Sequence, residues 1–477
     1  MHANWTVLSL TVVYMVVMGG ISYYAKRLTH TAKAFTSGGT GYPAVLVGFL
    51  LMSEFIGTTA SVGTTQAAYK WGISAAWNIA VLGIGFLVYG LLFAKKFKEL
   101  GENTISGALS KTYGEATKLA TSVIMIFALQ IVGVSLYASG GAVLAGLLNV
   151  DRNLAIVITG VVAVLYVSMG GMRSVIYTNV MHAMIKYLGI VVALAFAMSR
   201  VGGWSELHAR LPAQMFTVDN VGWAQIFAWF VAGIGAVCST QYVLQAISTV
   251  GDGRKAQASS LWTAVLLIPF GIFAALVGMC AAVLFPKIDS LQAFPSIIAQ
   301  MDNLLATIVV AGLAGSLFGT ISAISIGTAT LIYKDFYQPI LKKSADDHSS
   351  LNFVRIATLV VGLAPIPLAI FVPDVLKVTF LAKSLRATLA VLVLLIFYAP
   401  HFGTSKGAMI SILTSLVVTI GWFLAGDPYG IDNAYVAFII PLVVMSATHM
   451  LRSLRSVSPD RFGLPQSRDG ILHRSEN

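Results

Sequence analysis

The sequence predicts an all-α polytopic membrane protein with about thirteen transmembrane helices. Of its 477 residues, 57% are hydrophobic and only 10% are charged. A soluble domain carries about 25% charged residues, so this chain cannot cover a water-facing surface. The apolar residues also fall into runs of about 17 to 25, the length that crosses a bilayer. Some of these runs carry glycines and polar side chains at their midpoints, and that third feature bears on function.

The runs lie at 5–24, 43–69, 73–94, 119–146, 153–171, 176–198, 223–247, 259–285, 304–332, 353–372, 376–398, 406–425 and 435–452. The first has no basic region before it and no small-residue cleavage site, so it reads as a retained span. The links at 70–72, 148–152, 172–175 and 373–375 are short. Residues 340–352 read as a solvated connector. The tail, 453–477, is polar without apolar periodicity and reads as disordered. Cys238 and Cys280 both lie in apolar runs, which points to buried free thiols and not to a disulfide or metal framework. There is no Walker A sequence, so ATP is not the evident energy source. The spans hold no nucleophile–base pair or metal-ligand cluster, so an enzyme is not expected.

Charge placement orients the chain. With the N-terminus outside, the inner loops and tail hold 21 of the 30 Lys and Arg residues and the outer loops hold 6. Basic residues concentrate on the cytoplasmic side. The expectation is an outside N-terminus, a cytoplasmic C-terminus and an inner (plasma) membrane location. The same asymmetry accounts for the net charge of +11 without nucleic acid as a partner.

The second run, Pro43 to Tyr69, is the most informative. Its middle reads Ser53-Glu54-Phe55-Ile56-Gly57-Thr58-Thr59 and continues to Gly63 and Thr64. Polar groups and irregular backbone survive at that depth only against protein or a watery cavity. A Gly-interrupted span points to a transporter's binding site. Glu54 is the acid well inside a predicted span. It either binds a cation, a proton or an amine-bearing substrate, or faces a hydrated vestibule, or is protonated and bonded to a hydroxyl.

In the ninth run, Ser316, Gly319, Thr320 and Ala323 share one helical face. Small residues there serve close helix packing. Alternatively, carbonyls freed near Ser53 to Gly57 join the Thr320 hydroxyl in a small oxygen cage for sodium. The seventh run repeats the glycine pattern at Gly233 and Gly235, with Trp229 before and Gln241 after. The second and seventh runs are five spans apart and so run in opposite directions. That is the expectation for a five-plus-five inverted repeat with one extra N-terminal and two extra C-terminal helices. The predicted units are 1–42 (extra helix and loop), 43–198 (first five-helix repeat), 199–222 (extracellular loop), 223–398 (inverted repeat), 399–452 (two C-terminal helices) and 453–477 (tail).

Three further intramembrane cations need places. Lys186 is expected to snorkel or to pair with a carbonyl. Lys383 and Arg386 either attract an anionic substrate or, if the eleventh span starts near Ala387, sit in a loop with Lys377; the loop or interface is the preferred reading. Trp77 and Trp229 read as packing or gating aromatics.

Local patterns add a resemblance. The segment Gly170 to His182 resembles the Gly-Gly, Thr-Asp, Gln pattern of the sodium:solute symporter family. Gly57…Gly63…Ala67-Ala68-Tyr69-Lys70-Trp71-Gly72 and Leu331-Ile332-Tyr333-Lys334-Asp335-Phe336-Tyr337 are similar to other family stretches, and the resemblance covers essentially the whole chain. It implies a leucine-transporter-type fold and a sodium site formed by Ser53 and Ile56 with Ser316, Gly319 and Thr320. It implies a substrate site between the broken spans, drawing on Gly57, Thr58, Thr59, Gln130, Trp229, Gly233, Val237 and Gln241, with Ser135 and Tyr137 near Gln130. The chain departs from the family pattern at Gly319, where a hydroxyl is usual, at Asn179 for Asp and at His182 for Gln.

The function expected from residues and resemblance together is secondary active uptake of a small organic solute, coupled to sodium by alternating access. No cofactor is expected beyond Na+ as coupling ion, and a monomer in the lipid bilayer suffices. The alternatives are proton (H+) coupling through Glu54 and, from another class, a ligand sensor or channel derived from a transporter.

Overall fold

The computed structural model describes residues 5–27, 31–167, 171–341, 347–372 and 374–456. Its principal helices are α1 (Trp5–Lys26), α2 (Ala44–Phe55), α3 (Thr58–Trp71), α4 (Trp77–Leu92), α5 (Glu115–Leu148), α6 (Arg152–Val167), α7 (Gly171–Val201), α8 (Trp223–Ser239), α9 (Gln241–Ser248), α10 (Gly253–Leu284), α11 (Asn303–Leu331), α12 (Asp347–Leu363), α13 (Val375–Tyr398), α14 (Ser405–Leu424) and α15 (Asn433–Ser456). Among the described residues, 10 helical stretches are long and apolar enough to cross a membrane, or 11 with the bent pair α8–α9. The sequence reading counts more because α6 is short and because it separates the α3–α4 stretch into two spans.

The second apolar run is broken where its glycine predicted. Helix α2 stops at Phe55, Ile56 leaves helical geometry (φ −89, ψ 79), and Gly57 (φ −78, ψ 178) is extended before α3 begins. Gly57 is required by space. A Cβ there would lie 2.4 Å from Leu136 Cδ1 on α5 and 3.2 Å from Thr320 Oγ1 on α11.

The seventh run breaks later than its glycines implied. Helix α8 is continuous through Gly233 and Gly235, and the chain turns at Thr240 (φ −73, ψ 134), bending 44° into α9. The two glycines serve packing instead. A Cβ on Gly233 would lie 2.6 Å from Val81 Cγ2 of α4, and one on Gly235 would lie 2.6 Å from Ala387 of α13.

Two other expectations are corrected. Helix α13 starts at Val375, so Lys383 and Arg386 lie in its buried interior and not in a loop. The first residues of the predicted tail, 453–456, close α15, and part of the 340–352 connector starts α12. Residues 168–170, 342–346 and 457–477, including Gly170 of the resembling motif and most of the tail, lie outside the described residues.

The packing that matters for the site joins α7 to α11 and brings both against α2. Gly189 and Gly312 let the first two helices approach. A Cβ on Gly312 would lie 3.0 Å from Ile185 O and 3.3 Å from Lys186 Cα. Small residues permit this in membrane helices generally. Here the approach sets Lys186 directly against the α2 break. Cys238 and Cys280 are buried and free.

Candidate functional site

A helix end leaves its last carbonyls without intrahelical donors, and its partial negative charge favours a cation. At the end of α2 that cation is Lys186. Its Nζ donates to Ser53 O at 2.5 Å, to Ser53 Oγ at 2.9 Å and to Ile56 O at 2.9 Å. An ammonium has three donors and no acceptor, so this group is saturated. Thr320 Oγ1 reaches Ser53 O at 3.4 Å, and Asn179 Nδ2 reaches Gly319 O at 3.4 Å. Four of the five residues assigned to the sodium site therefore converge around the Lys186 amine. Ser316 lies beside Lys186 across a void of about 10 Å³, and its hydroxyl is engaged within its own helix by Gly312 O.

Do these residues fit sodium? The two carbonyls that would bind it already accept from an ammonium. Two like unit charges about 4 Å apart repel by about 4 kcal/mol at an effective dielectric of 20. With Lys186 charged and in place, the donor set does not fit a sodium ion.

On the other side of the break lies a cavity of about 40 Å³, lined by Glu54, Phe55, Gly57, Thr59, Asn78, Thr320, Tyr242, Thr379, Lys383 and Arg386 among others. Both Glu54 carboxylate oxygens are buried without a hydrogen-bond partner. Glu54 and Lys186 attract electrostatically but do not form an ion pair. Lys383 Nζ donates to Asn78 Oδ1 at 3.1 Å and sits 4.0 Å above the Phe380 ring. Arg386 donates from Nε to Ala382 O at 3.0 Å, and from Nη1 to Thr240 Oγ1 at 2.9 Å and Tyr242 Oη at 3.5 Å. Among the described residues no carboxylate pairs with Lys186, Lys383 or Arg386. Three buried basic side chains and one buried carboxyl meet around the α2 break, with the Tyr242 phenol beside them.

A wider cavity of about 490 Å³ adjoins this one, lined by Gly63, Gln66, Trp229, Leu376, Lys377, Phe380 and Asp432 among others. Leu376 lines both. Trp229 and Phe380, both in the outer lining, stack with centroids 5.3 Å apart and planes at 18°. The small cavity holds little more than a water as it stands, so a solute enters it from the wider one only when shared lining such as Leu376 moves.

Of the residues proposed for the substrate, Gly57 and Thr59 line the inner cavity and Trp229 lines the outer one. Thr58 instead bonds Leu136 O at 3.0 Å and Ser139 Oγ at 2.6 Å, joining α3 to α5. Gly233 and Val237 are helix-packing positions against α4. Gln241 accepts from Ile105 N at 3.0 Å and donates to Asn103 O at 3.0 Å, tying α9 to a loop. Gln130 is on α5 away from the cavity, its amide buried without a partner. Ser135 enters through Thr379, whose hydroxyl donates to it at 2.8 Å; Tyr137 bonds Gly362 O at 2.8 Å on α12's side.

Sequence reasoning passed over Asn78, Tyr242 and Thr379 and undervalued Lys186, Lys383 and Arg386. The available signal was the charge itself. An ionisable side chain within an apolar run is a functional candidate by default, and that rule applied to Glu54 covers the three cations equally.

A model described as "SSF: Sodium:solute symporter family" matches residues 35–415. The chain is 20% identical over 422 residues to the human (Homo sapiens) high affinity choline transporter 1, covering 83% of this chain and 72% of that protein. It superposes on a Na+-coupled sialic acid symporter, solved in a substrate-bound outward-open state, with a TM-score of 0.78 at 16% identity, covering 94% of this chain and 98% of the other. A nucleobase-cation-symport-1 family transporter, solved closed with bromovinylhydantoin bound, gives 0.61 at 14% identity, with 90% and 96% covered. These structures share the leucine-transporter-type fold, and the likeness shows that fold for this chain.

Proposed function

Since the chain belongs to the sodium:solute symporter family, a family of membrane transporters and not of enzymes, we propose that it carries a small organic anion across the membrane by alternating access. The observation that carries the anionic cargo is the pair Lys383 and Arg386. Both are buried in α13, line the cavity at the α2–α3 break and have no carboxylate partner among the described residues. Buried charges are retained where they are paired or wait for a ligand. Arg in particular suits bidentate recognition of a carboxylate.

The outer cavity, with its Trp229–Phe380 stack, and the inner cavity form a path. In the outward arrangement a solute displaces shared lining such as Leu376, and its carboxylate meets Lys383 and Arg386. The scaffold then rocks about the broken helix and exposes the solute on the other face. The basic-residue asymmetry supports an outside N-terminus, and the five-plus-five repeat remains the architecture that best explains two broken segments. A monomer contains every residue used. Family membership supports cation-coupled uptake, with sodium as the ion the family is named for. Where that ion would sit in this chain is a separate question, because its assigned cage holds Lys186.

Choline, the cargo named for the human relative, is a cation. Two basic groups against one carboxyl in the cavity lining disfavour it here.

A thermal-shift panel of small carboxylates, zwitterions, neutral solutes and quaternary amines tests the reading. Carboxylates are expected to stabilise the wild type and to lose that effect in Arg386→Gln. Stabilisation by quaternary amines or neutral solutes alone rejects an anionic cargo.

A further inference from the structure

We propose that the Lys186 ammonium is the resident cation of the cage at the α2 break, so that this member of a sodium-symporter family does not bind sodium there. The inference stands on cage geometry and is independent of the identity of the cargo.

Three observations point the same way. The amine of Lys186 occupies the focus of the cage, with all three of its donors taken by Ser53 O, Ser53 Oγ and Ile56 O. The side chain is 2% exposed and arrives from α7 through the Gly189–Gly312 approach, so it is held by packed helices and not by a mobile loop. Gly319 supplies the third. A Cβ at that position would lie 2.6 Å from Asn179 Oδ1, 2.8 Å from Ser53 Oγ and 3.3 Å from Lys186 Nζ. A side chain at 319 would crowd Asn179 and Ser53 and press on the Lys186 amine, so the bare Gly319 leaves the cage its room. The hydroxyl that the family resemblance leads one to expect at 319 is absent, and the Lys186 amine lies beside that position, so a fixed ammonium stands where an ion and one of its ligands would.

The fixed ammonium keeps what the cage does for the fold. A positive charge still sits at the negative end of α2, bridging it to α7 and, through Thr320, to α11. Glu54, adjacent in sequence to Ser53, lies on the cavity side of the break. A fixed charge differs from an ion in one respect: it cannot leave with the cargo. The bridge is therefore present whatever the sodium concentration, and a sodium gradient does no work through this site.

The test is binding of radiolabelled sodium to the purified full-length protein, together with thermal unfolding in NaCl against N-methylglucamine chloride. Neither measurement needs the cargo, so its outcome is separable from that of the carboxylate panel. The wild type is expected to show no saturable sodium binding and no sodium-specific stabilisation. The double variant Lys186→Ala/Gly319→Ser, which vacates the amine and restores a hydroxyl, is expected to gain both, with melting temperature rising as sodium exceeds its dissociation constant. If that variant does not fold, the wild-type measurement with Thr320→Ala decides alone. Wild-type sodium binding that Thr320→Ala weakens overturns the proposal. Absent binding, or binding indifferent to Thr320→Ala and hence outside the cage, upholds it. A folded double variant that binds no sodium also overturns the claim that the amine stands in for the ion.

Discussion

Lys186 and the pair Lys383–Arg386 are equally buried, at 2%, 5% and 2% exposure, yet they sit in different kinds of place. Lys186 meets three protein oxygens with three donors, and its surroundings leave a void of only about 10 Å³. Lys383 meets one protein oxygen and an aromatic face, and both it and Arg386 line a cavity that leads past Leu376 to an open vestibule. A buried cation whose donors are all satisfied by the fold belongs to the fold. One with donors to spare, beside a path to water, belongs to a ligand. Burial alone does not separate the two; the count of acceptors does.

Substitutions sharpen that contrast. The largest expected effect is at Lys186. Lys186→Met leaves Ser53 Oγ and Ile56 O without the Lys186 donor and Ser53 O with only the long Thr320 contact. Each unsatisfied buried group costs about 1–3 kcal/mol, so the variant is expected to lose about 3 kcal/mol of stability, read as a lower thermal-unfolding midpoint whether or not solute is present. Equal stability to wild type would dissolve the distinction. Next is Arg386→Gln, expected to weaken carboxylate binding by about 100-fold, the size of a lost charge-assisted hydrogen-bonding group. Its unfolding midpoint without solute should change far less than that of Lys186→Met. If stability falls and affinity holds, Arg386 is structural.

Lys383→Met should weaken the same binding by about tenfold, because one ammonium makes a single point contact where Arg forms a fork. Isothermal titration with the best carboxylate measures both. The smallest effect is expected for Thr320→Ala. Its bond to Ser53 O is long, 3.4 Å, and Lys186 already satisfies that carbonyl, so the change in stability should stay within about 0.5 kcal/mol. A loss as large as that of Lys186→Met would mean that the hydroxyl, and not the amine, organises the cage.

The membrane class, the approximate span positions and the break at Ile56–Gly57 were legible in the amino-acid order alone. Each of these depends on local composition: apolar length sets a span, and a glycine among hydroxyls marks where winding stops. The amino-acid order also placed Ser53, Ile56, Gly319 and Thr320 in one cage through a family resemblance. The tertiary structure decided what fills that cage and where the other cations go. Lys186 meets Ser53 across 133 positions of chain, and Lys383 meets Asn78 across 305. No periodicity within a single run reports contacts of that range. The same limit explains the seventh run, where Gly233 and Gly235 looked like a break but are spaces left for Val81 and Ala387. A glycine's lack of a side chain is local information. Whether the fold spends it on a bend or on a neighbour is decided by the helix packed against it.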